Sequence, residues 1–337
     1  MEMKMIERIM SSYGISPVKI TKVSDQVYKV VDGQRQYALK KSVLTPQTVK
    51  NWEQVFHHAD QKHIPEILSI FLTKDHSLYT ISEDEFYYLM SWIDGKTSTI
   101  EQLYRSIGKV HKKTQQFQSV DYDKMVHHFN QYSQYCDGVQ KRLLTDVKQF
   151  ESRIYMSPLE LQVCTQYRDV ELAIKKAQEQ IRQLTSRLEK REEWGYCLCH
   201  GNLRLSHGLV GVDHTYLINW EQAHYNYPVI DLSILLKNEL IHYDAPAKIW
   251  INTFNIYMEK NRLHNDELSL LLLHLLDPTT YIKCIQQYME RTSSQSMISQ
   301  IKQLQIEHRQ LLFGLQFLDF IGQQYFSQIN SDLDVDH

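Results

Sequence analysis

The sequence contains few of the residues that interrupt regular secondary structure or cross-link it. Its 337 residues include 11 glycines, 7 prolines and 5 cysteines. The scarcity of glycine and proline favours long helices over a turn-rich sheet. Five cysteines are sparse and odd in number for a chain of this length, which indicates a reducing compartment rather than a disulfide framework.

An excess of basic charge and a long apolar run are also missing. Lys and Arg together number 37 against 40 Asp and Glu, and the formal net charge is −3. This balance argues against a protein dedicated to nucleic-acid binding. The longest apolar run, residues 268–276, is far too short to cross a bilayer, so we expect no membrane span. Acidic residues near the N-terminus stand where an export signal needs an apolar stretch, which predicts a cytoplasmic protein.

The sequence divides into two parts of different character. Residues 1–95 contain several short β-type segments and one longer helical segment, and Asp32-Gly33 between two of the strands is typical of a hairpin turn. Residues 96–330 are mainly helical, with an inserted pair of long antiparallel helices over 124–190. This order predicts an α+β fold with a small β-rich N-terminal lobe and a large, mainly helical C-terminal lobe.

Three short motifs follow one another at fixed spacing in the second part. They are His-Gly-Asn-Leu at residues 200–203, Tyr-Leu-Ile-Asn-Trp-Glu at 216–221 and Pro-Val-Ile-Asp-Leu-Ser at 228–233. They resemble His-Gly-Asp-Leu, Ile-Asp-Trp/Phe-Glu and Asp-Pro-x-x-Asp-Leu-Ala of the aminoglycoside and choline kinases, with the same spacing. Tyr-Ala-Leu-Lys at residues 37–40 is similar to the strand that carries the ATP-binding lysine. The resemblance implies a two-lobed protein-kinase-like fold of the aminoglycoside phosphotransferase type.

Three positions of the catalytic loop, residues 200–219, differ from the pattern of these kinases. The resemblance implies that Asn202 replaces the aspartate that accepts the proton of the attacking hydroxyl. An amide cannot supply that general-base assistance, which is worth about 10²–10⁴-fold. Asn219 replaces the metal-binding aspartate, and His207 replaces the asparagine that acts as the second metal ligand. Mg²⁺ prefers carboxylate oxygens, whereas imidazole suits Zn²⁺ or Cu²⁺.

The segment that would cover the nucleotide phosphates is also altered. Residues 24–26 lack glycine, and Asp25 brings a negative charge towards the anionic phosphates. We therefore predict a catalytically degenerate kinase fold, a pseudokinase, without an active catalytic residue, a bound metal or a required cofactor. ATP with Mg²⁺ is expected to bind weakly if it binds at all.

Other residues of the family pattern are retained. Lys40 is expected to pair with Glu53 on the following helix, either as a structural ion pair or as a residual nucleotide site. Asp231 is expected to accept hydrogen bonds from the backbone of His200 and Gly201. In this interpretation His200 and Asp231 hold the loop and do not react.

Cys-Leu-Cys-His at residues 197–200 offers side chains that are typical of metal sites. No second pair of Cys or His follows at the spacing of a zinc motif. We therefore interpret the segment as a buried strand whose two cysteine side chains share one face.

The inserted helical pair, the total length and the helix start at Asp277-Pro278 are similar to the CotS-like spore coat proteins of endospore-forming bacteria, and among these to the YutH group. This resemblance implies synthesis in the mother-cell cytoplasm and assembly into the spore coat with other coat proteins. Two alternatives stay open. One is an active ATP-dependent phosphotransferase of the aminoglycoside or choline kinase type, acting on an unidentified small molecule with a hydroxyl group. The other is a protein that binds ATP as a structural ligand and does not turn it over.

Overall fold

The computed structural model describes residues 2–188 and 193–326, and the chain forms two compact units. The first unit comprises Met1–Gln116, Tyr196–Asp231 and Asn255–Asn261, and the second comprises Phe117–Gly195, Leu232–Phe254 and Arg262–His337. The predicted lobe boundary near residue 95 stays a prediction from the sequence. Parts of the predicted ranges, residues 189–190 and 327–330, lie outside the described residues.

A six-stranded antiparallel sheet occupies the first part of the first unit. The order of its strands is β1-β2-β3-β6-β4, and β5 pairs with β6. These strands are β1 (Lys19–Lys22), β2 (Val27–Asp32), β3 (Arg35–Ser42), β4 (Ile70–Phe71), β5 (Thr80–Ser82) and β6 (Glu85–Ser91). The Asp32-Gly33 turn joins β2 to β3, with Asp32 opposite Arg35, so the predicted hairpin is confirmed. Gly33 adopts a φ of 53°, which glycine accepts without strain.

Both faces of this sheet are covered, and the alternation along β3 decides where its side chains lie. Tyr37 and Leu39 pack with helix α1 (Glu2–Ser12), whereas Ala38 packs with helix α2 (Val49–Gln61). Since successive side chains of a strand point to opposite faces, Lys40 lies on the α2 face. The alternation along β3 therefore places the buried side chain of Lys40 on the same face of the sheet as that of Ala38.

The remaining elements of the first unit hold the loops of the catalytic motifs. Helix α3 (Ile100–Thr114) begins with a capping box, in which Thr99 and Gln102 satisfy each other's backbone N–H groups. Two antiparallel strand pairs follow it in the chain, β8 (Glu193–Cys199) with β11 (His224–Asn226), and β9 (Gly208–Val210) with β10 (Thr215–Leu217). A 3₁₀ turn spans Leu205–His207, and helix α6 (Pro228–Glu239) and helix α8 (Phe254–Lys260) complete the sequence of elements.

The described part of the second unit is built mainly from helices. They are α4 (Tyr122–Glu151), α5 (Pro158–Leu188), α7 (Ala247–Asn252), α9 (Asn265–Leu275), α10 (Thr279–Met289) and α11 (Met297–Ile321), with a π turn at Gly322–Phe326 and the short strand β7 (Gln116–Ser119) before α4. Gln178 donates to Asp137, and Arg153 pairs with Glu160 near the connection. Contacts that converge in this way towards the connection show that α4 and α5 run antiparallel, and the predicted range of the inserted pair stays a prediction.

By length and composition alone, Asn265–Met289 could cross a membrane. In the structure this segment is two helices, α9 and α10, and 67% of its most apolar window is buried inside the protein. Leu268, Leu271 and Leu272 are at most 1% exposed. This burial is typical of a core helix.

Candidate functional site

Lys40 of β3 is the cation at the centre of the site. Its ammonium group forms an ion pair with the carboxylate of Glu221 and donates a hydrogen bond to Oδ1 of Asn219, at 2.5 Å. The hydroxyl of Tyr88 on β6 also donates to Glu221, at 2.8 Å. The side chains of Lys40 and Glu221 are only 8% and 6% exposed, so water competes little for either charge.

The pairing of Lys40 differs from the expectation. Among the ion pairs of the described residues Lys40 joins Glu221, not Glu53, so that predicted pair is wrong. The physical reason is burial, because the nearly inaccessible carboxylate of Glu221 needs a cation, whereas Glu53 is half-buried and retains contact with water. Burial alone would raise the pKa of Glu221, but Lys40 and the Tyr88 hydroxyl lower it below its ordinary value.

Asp231 fixes the start of the catalytic loop from the first turn of α6. Its carboxylate accepts hydrogen bonds from the backbone N–H of His200, at 2.5 Å, and of Gly201, at 2.8 Å. His111 of α3 approaches the same carboxylate at 3.3 Å. Burial alone would raise the pKa of Asp231, but His111, His200 and the backbone hydrogen bond lower it. These are the backbone hydrogen bonds that the sequence predicts, and the scaffold role of Asp231 stays a prediction.

Gly201 is the residue that lets the loop turn at this point. Its φ is +79°, and a Cβ there would lie 2.2 Å from the carbonyl oxygen of Gln222. No side chain fits at that distance without moving the backbone. The carboxylate of Asp231 and the glycine together hold His200 and Asn202 in a fixed turn.

His200 and His207 lie on the same stretch of chain next to Asn219. Nε2 of His200 donates to the carbonyl oxygen of Ile218 at 2.8 Å, and the N–H of Ile218 donates to the carbonyl oxygen of His207 at 3.0 Å. The two imidazole rings stack with centroids 5.2 Å apart. Nδ1 of His200 accepts from the N–H of Asn202, which defines the tautomer of the buried ring. The fold thus brings together the three altered loop positions.

Burial keeps both imidazoles uncharged. It lowers the pKa of His200, and it lowers the pKa of His207 to about 3 with help from the neighbouring His200, Lys40 and Arg204. Nδ1 of His207 is buried without a hydrogen-bond partner among the described residues. The ring of His207 therefore presents a neutral nitrogen where the family pattern has an amide.

Asn219 adopts a left-handed backbone conformation with a φ of 70°. Asparagine tolerates this region better than most residues. The turn brings Asn219 and Glu221 to the same ammonium group, two residues apart in the sequence.

A divalent cation of the Mg²⁺ type does not fit the described site well. Asn202 and Asn219 offer amides, His207 offers an imidazole, and the carboxylate of Glu221 is already paired with Lys40. Mg²⁺ requires hard oxygen ligands and a site of negative charge, which this arrangement lacks. These residues can bind a ligand and neutralise its charge. We derive no metal-dependent step from them.

Sequence reasoning missed the roles of two residues in this site. Glu221 is part of the Ile-Asn-Trp-Glu motif, but its partner Lys40 lies 181 residues earlier, and no local pattern links them. Tyr88 belongs to none of the motifs found in the sequence. The nearby Glu53 offered Lys40 a local acidic partner, so the sequence carried no signal that pointed to Glu221.

Several solved structures share the fold of this chain. An aminoglycoside phosphotransferase from Alicyclobacillus acidocaldarius subsp. acidocaldarius DSM 446 matches with a TM-score of 0.68 at 16% identity, covering 94% of this chain and 95% of that one. An AMP-bound spectinomycin phosphotransferase matches with a TM-score of 0.56 at 15% identity, covering 93% and 98%. An amicoumacin kinase in complex with AMP-PNP and Ca²⁺ matches with a TM-score of 0.52 at 17% identity, covering 91% and 93%.

At these identities the similarity establishes the two-lobed kinase-like fold of the aminoglycoside phosphotransferases, as predicted from the sequence. No curated protein matches the sequence significantly. The family model of the phosphotransferase enzymes matches residues 18–255, which is well over half of the 337 residues. By that match, the chain belongs to the phosphotransferase enzyme family.

Proposed function

We propose that this chain is a catalytically degenerate member of its family, a pseudokinase that works by binding other proteins. The observation that carries the proposal is the buried contact of Lys40 with Glu221 and Asn219. In phosphoryl transfer, the corresponding lysine holds nucleotide phosphates. Here an internal carboxylate already neutralises it, so a nucleotide would have to break a buried ion pair to bind.

The charges of the loop support the same conclusion. Asn202 and Asn219 remove two carboxylates that a phosphotransferase uses as base and metal ligand. The neutral ring of His207 adds no negative charge. With one of its carboxylates bound to Lys40 and two absent, the site attracts divalent cations weakly.

The proposed partners are other spore coat proteins, on the strength of the resemblance to CotS-like proteins. The protein would be made in the mother-cell cytoplasm and then join the spore coat. The connection between α4 and α5 supports an interaction role, because it exposes Ile154 and Tyr155 at 91% and 90%. Exposed neighbouring apolar side chains of this kind are typical of surfaces that bind partners.

A second candidate is a weakly active ATP-dependent phosphotransferase on a small molecule with a hydroxyl group. The specific observation in its favour is that Glu221 places a carboxylate two residues after Asn219, beside the retained Lys40. Related folds have been solved with AMP or with AMP-PNP and Ca²⁺, so ATP with a divalent cation remains a possible ligand. This candidate requires Glu221 to leave Lys40 and bind the cation.

Thermal unfolding with ATP, with and without Mg²⁺, distinguishes these candidates. A ligand that binds only the native state must raise the melting temperature, and at one hundred times its Kd it stabilises by about 2.7 kcal/mol. We expect no shift and no ADP release from the wild-type protein. A shift without ADP release would indicate ATP as a structural ligand, and ADP release that depends on an added alcohol would overturn the proposal.

The Glu221→Gln variant tests the role of the ion pair directly. The amide keeps the shape of the side chain but removes the charge that neutralises Lys40, so we expect ATP to raise the melting temperature of this variant and not that of the wild type. The matched control is Glu221→Gln combined with Lys40→Met, in which the shift should disappear. An equal response of the wild type and the single variant would show that Glu221 does not block the site.

A further inference from the structure

Three sulfur and nitrogen donors meet in the interior of the first unit, apart from the Lys40 site. They are the thiols of Cys197 and Cys199 on β8 and the imidazole of His111 on α3. One ligand atom of each lies within 4.8 Å of the others, and the two sulfur atoms are 3.9 Å apart. All three residues are at most 1% exposed.

The sulfur separation is that of a tetrahedral zinc site. Zinc binds thiolates at about 2.3 Å, so two of them at the tetrahedral angle are separated by about 3.8 Å. The two cysteines reach this distance because residues two apart on a strand point to the same face. The sequence analysis noted these thiols but not His111, which comes from a helix 86 residues before Cys197.

The carboxylate of Asp231 lies beside this cluster and is not part of it. Its Oδ2 lies 3.3 Å from Nε2 of His111, but among the described residues the donor atoms within 4.8 Å of one another belong to Cys197, Cys199 and His111. Cys199 also accepts a hydrogen bond from the backbone N–H of Asp231. Two sulfurs and one nitrogen thus form the donor set.

We propose that Cys197, Cys199 and His111 form a site with three protein ligands for one Zn²⁺ ion. Binding forms two Zn–S bonds and one Zn–N bond, and releases the two thiol protons to solvent. The charge balance favours it, because a divalent cation replaces two protons and the net charge of the buried group is unchanged. Burial of an unbalanced charge would be costly.

Metal binding would replace the weak hydrogen bonds that the thiol of Cys199 donates to the carbonyl oxygens of Asn226 and Tyr227, at 3.6 and 3.4 Å. The hydrogen bonds of His111 are compatible with the metal. Nδ1 of His111 lies 2.8 Å from the hydroxyl of Tyr257, which also accepts from Asn261 at 2.8 Å. When Nε2 binds zinc, Nδ1 carries the proton and donates it to Tyr257, the outer hydrogen bond that orients zinc-bound histidines. Asp231 keeps the backbone donors of His200 and Gly201. The ion would fasten β8 to α3 immediately before the His200 loop.

Cobalt is the probe for this site, since Co²⁺ replaces Zn²⁺ and its thiolate complexes absorb strongly. The metal-free full-length protein is titrated with Co²⁺, and the sulfur-to-cobalt charge-transfer absorption is recorded, followed by displacement with Zn²⁺. We expect one Co²⁺ per chain with this absorption, and at least tenfold weaker binding in Cys197→Ser. Cys164→Ser, which changes a cysteine of α5 outside the cluster, should match the wild type.

The outcomes decide the proposal. Binding to surface histidines would give cobalt spectra without sulfur charge transfer, and that result in the wild type would overturn it. Persistence of the absorption in a Cys197→Ala and Cys199→Ala double variant would also overturn it. The alanine variant guards against loss of folding, because it retains an apolar strand face, and its circular dichroism must equal that of the wild type before the comparison is made.

Discussion

At the scale of single residues, His207 connects the site to the pH dependence of stability. Its pKa falls from 6.5 to about 3 on folding because burial disfavours the charged ring. Below pH 6.5 the unfolded chain therefore binds a proton at His207 that the folded chain does not bind. Unfolding is favoured as the pH decreases from 6.5 towards 3, and this contribution is absent above pH 6.5.

Replacing His207 with Gln should make the protein less sensitive to acid. The amide does not titrate, so the free energy of unfolding should decrease less steeply between pH 6.5 and pH 4 than in the wild type. Urea unfolding at a series of pH values measures the slope. His127→Gln, a change at an exposed position of α4, is the control and should leave the slope unchanged. Equal slopes for wild type and His207→Gln would contradict the assignment.

The sequence predicted which residues of the site are altered, but not which residues the side chains of the site contact. Asn202, Asn219 and His207 are read directly from motifs, because motif spacing is a property of neighbouring residues. The partner of Lys40 cannot be read from a motif, because Glu221 contacts Lys40 only in the folded chain. The same holds for His111, whose approach to Asp231 depends on how α3 packs.

At the scale of secondary-structure elements, buried Glu160 organises the connection from α4 to α5. It is 1% exposed, accepts from the N–H of Ser157 and the hydroxyl of Tyr288, both at 2.8 Å, and pairs with Arg153. Oγ of Ser157 in turn accepts a hydrogen bond from the backbone N–H of Glu160 at 3.2 Å. This reciprocal arrangement is a capping box at the start of a 31-residue helix.

Glu160→Ala should lower the free energy of unfolding by about 1–3 kcal/mol, because it removes a buried carboxylate that accepts from three partly buried or exposed donors. Urea denaturation measures the change. Glu179→Ala on the same helix is the matched control, since Glu179 forms only an exposed pair with Lys176, worth about 0.2–1 kcal/mol. Similar effects of the two variants would show that the cap contributes no more than a surface ion pair.

The prediction of secondary-structure elements succeeded where the local sequence pattern is strong. The hairpin at Asp32-Gly33 and the long helical pair are strong local patterns, and both are present. The strands β7 and β11 were missed because segments of three or four residues are too short to show alternation. Strand β4 is likewise only two residues long, and Ile70–Phe71 pairs with β6.

At the scale of the whole molecule, fold and chemistry are separable. The chain shares its fold with an aminoglycoside phosphotransferase at 16% identity, although Asn202, Asn219 and His207 depart from the family pattern. Restoring the two missing carboxylates should therefore not restore catalysis by itself. His207 still replaces a metal ligand, and Glu221 still occupies Lys40.

The double variant Asn202→Asp with Asn219→Asp tests this expectation. We expect folded protein without measurable ATP turnover, followed as ADP release with Mg²⁺ and a panel of amino alcohols and amino sugars. The same variant with Glu221→Gln and His207→Asn added is the comparison that removes the remaining obstacles. Robust turnover in the double variant alone would show that His207 and Glu221 have been given too much weight.

The left-handed turn at Asn219 bears on how such a protein diverged. Aspartate tolerates a φ of 70° nearly as well as asparagine does, so the main chain need not rearrange when one replaces the other. A single base separates the codons of these two amino acids. The backbone of this loop would thus accommodate aspartate and asparagine equally well, and the exchange of one for the other need not unfold the protein.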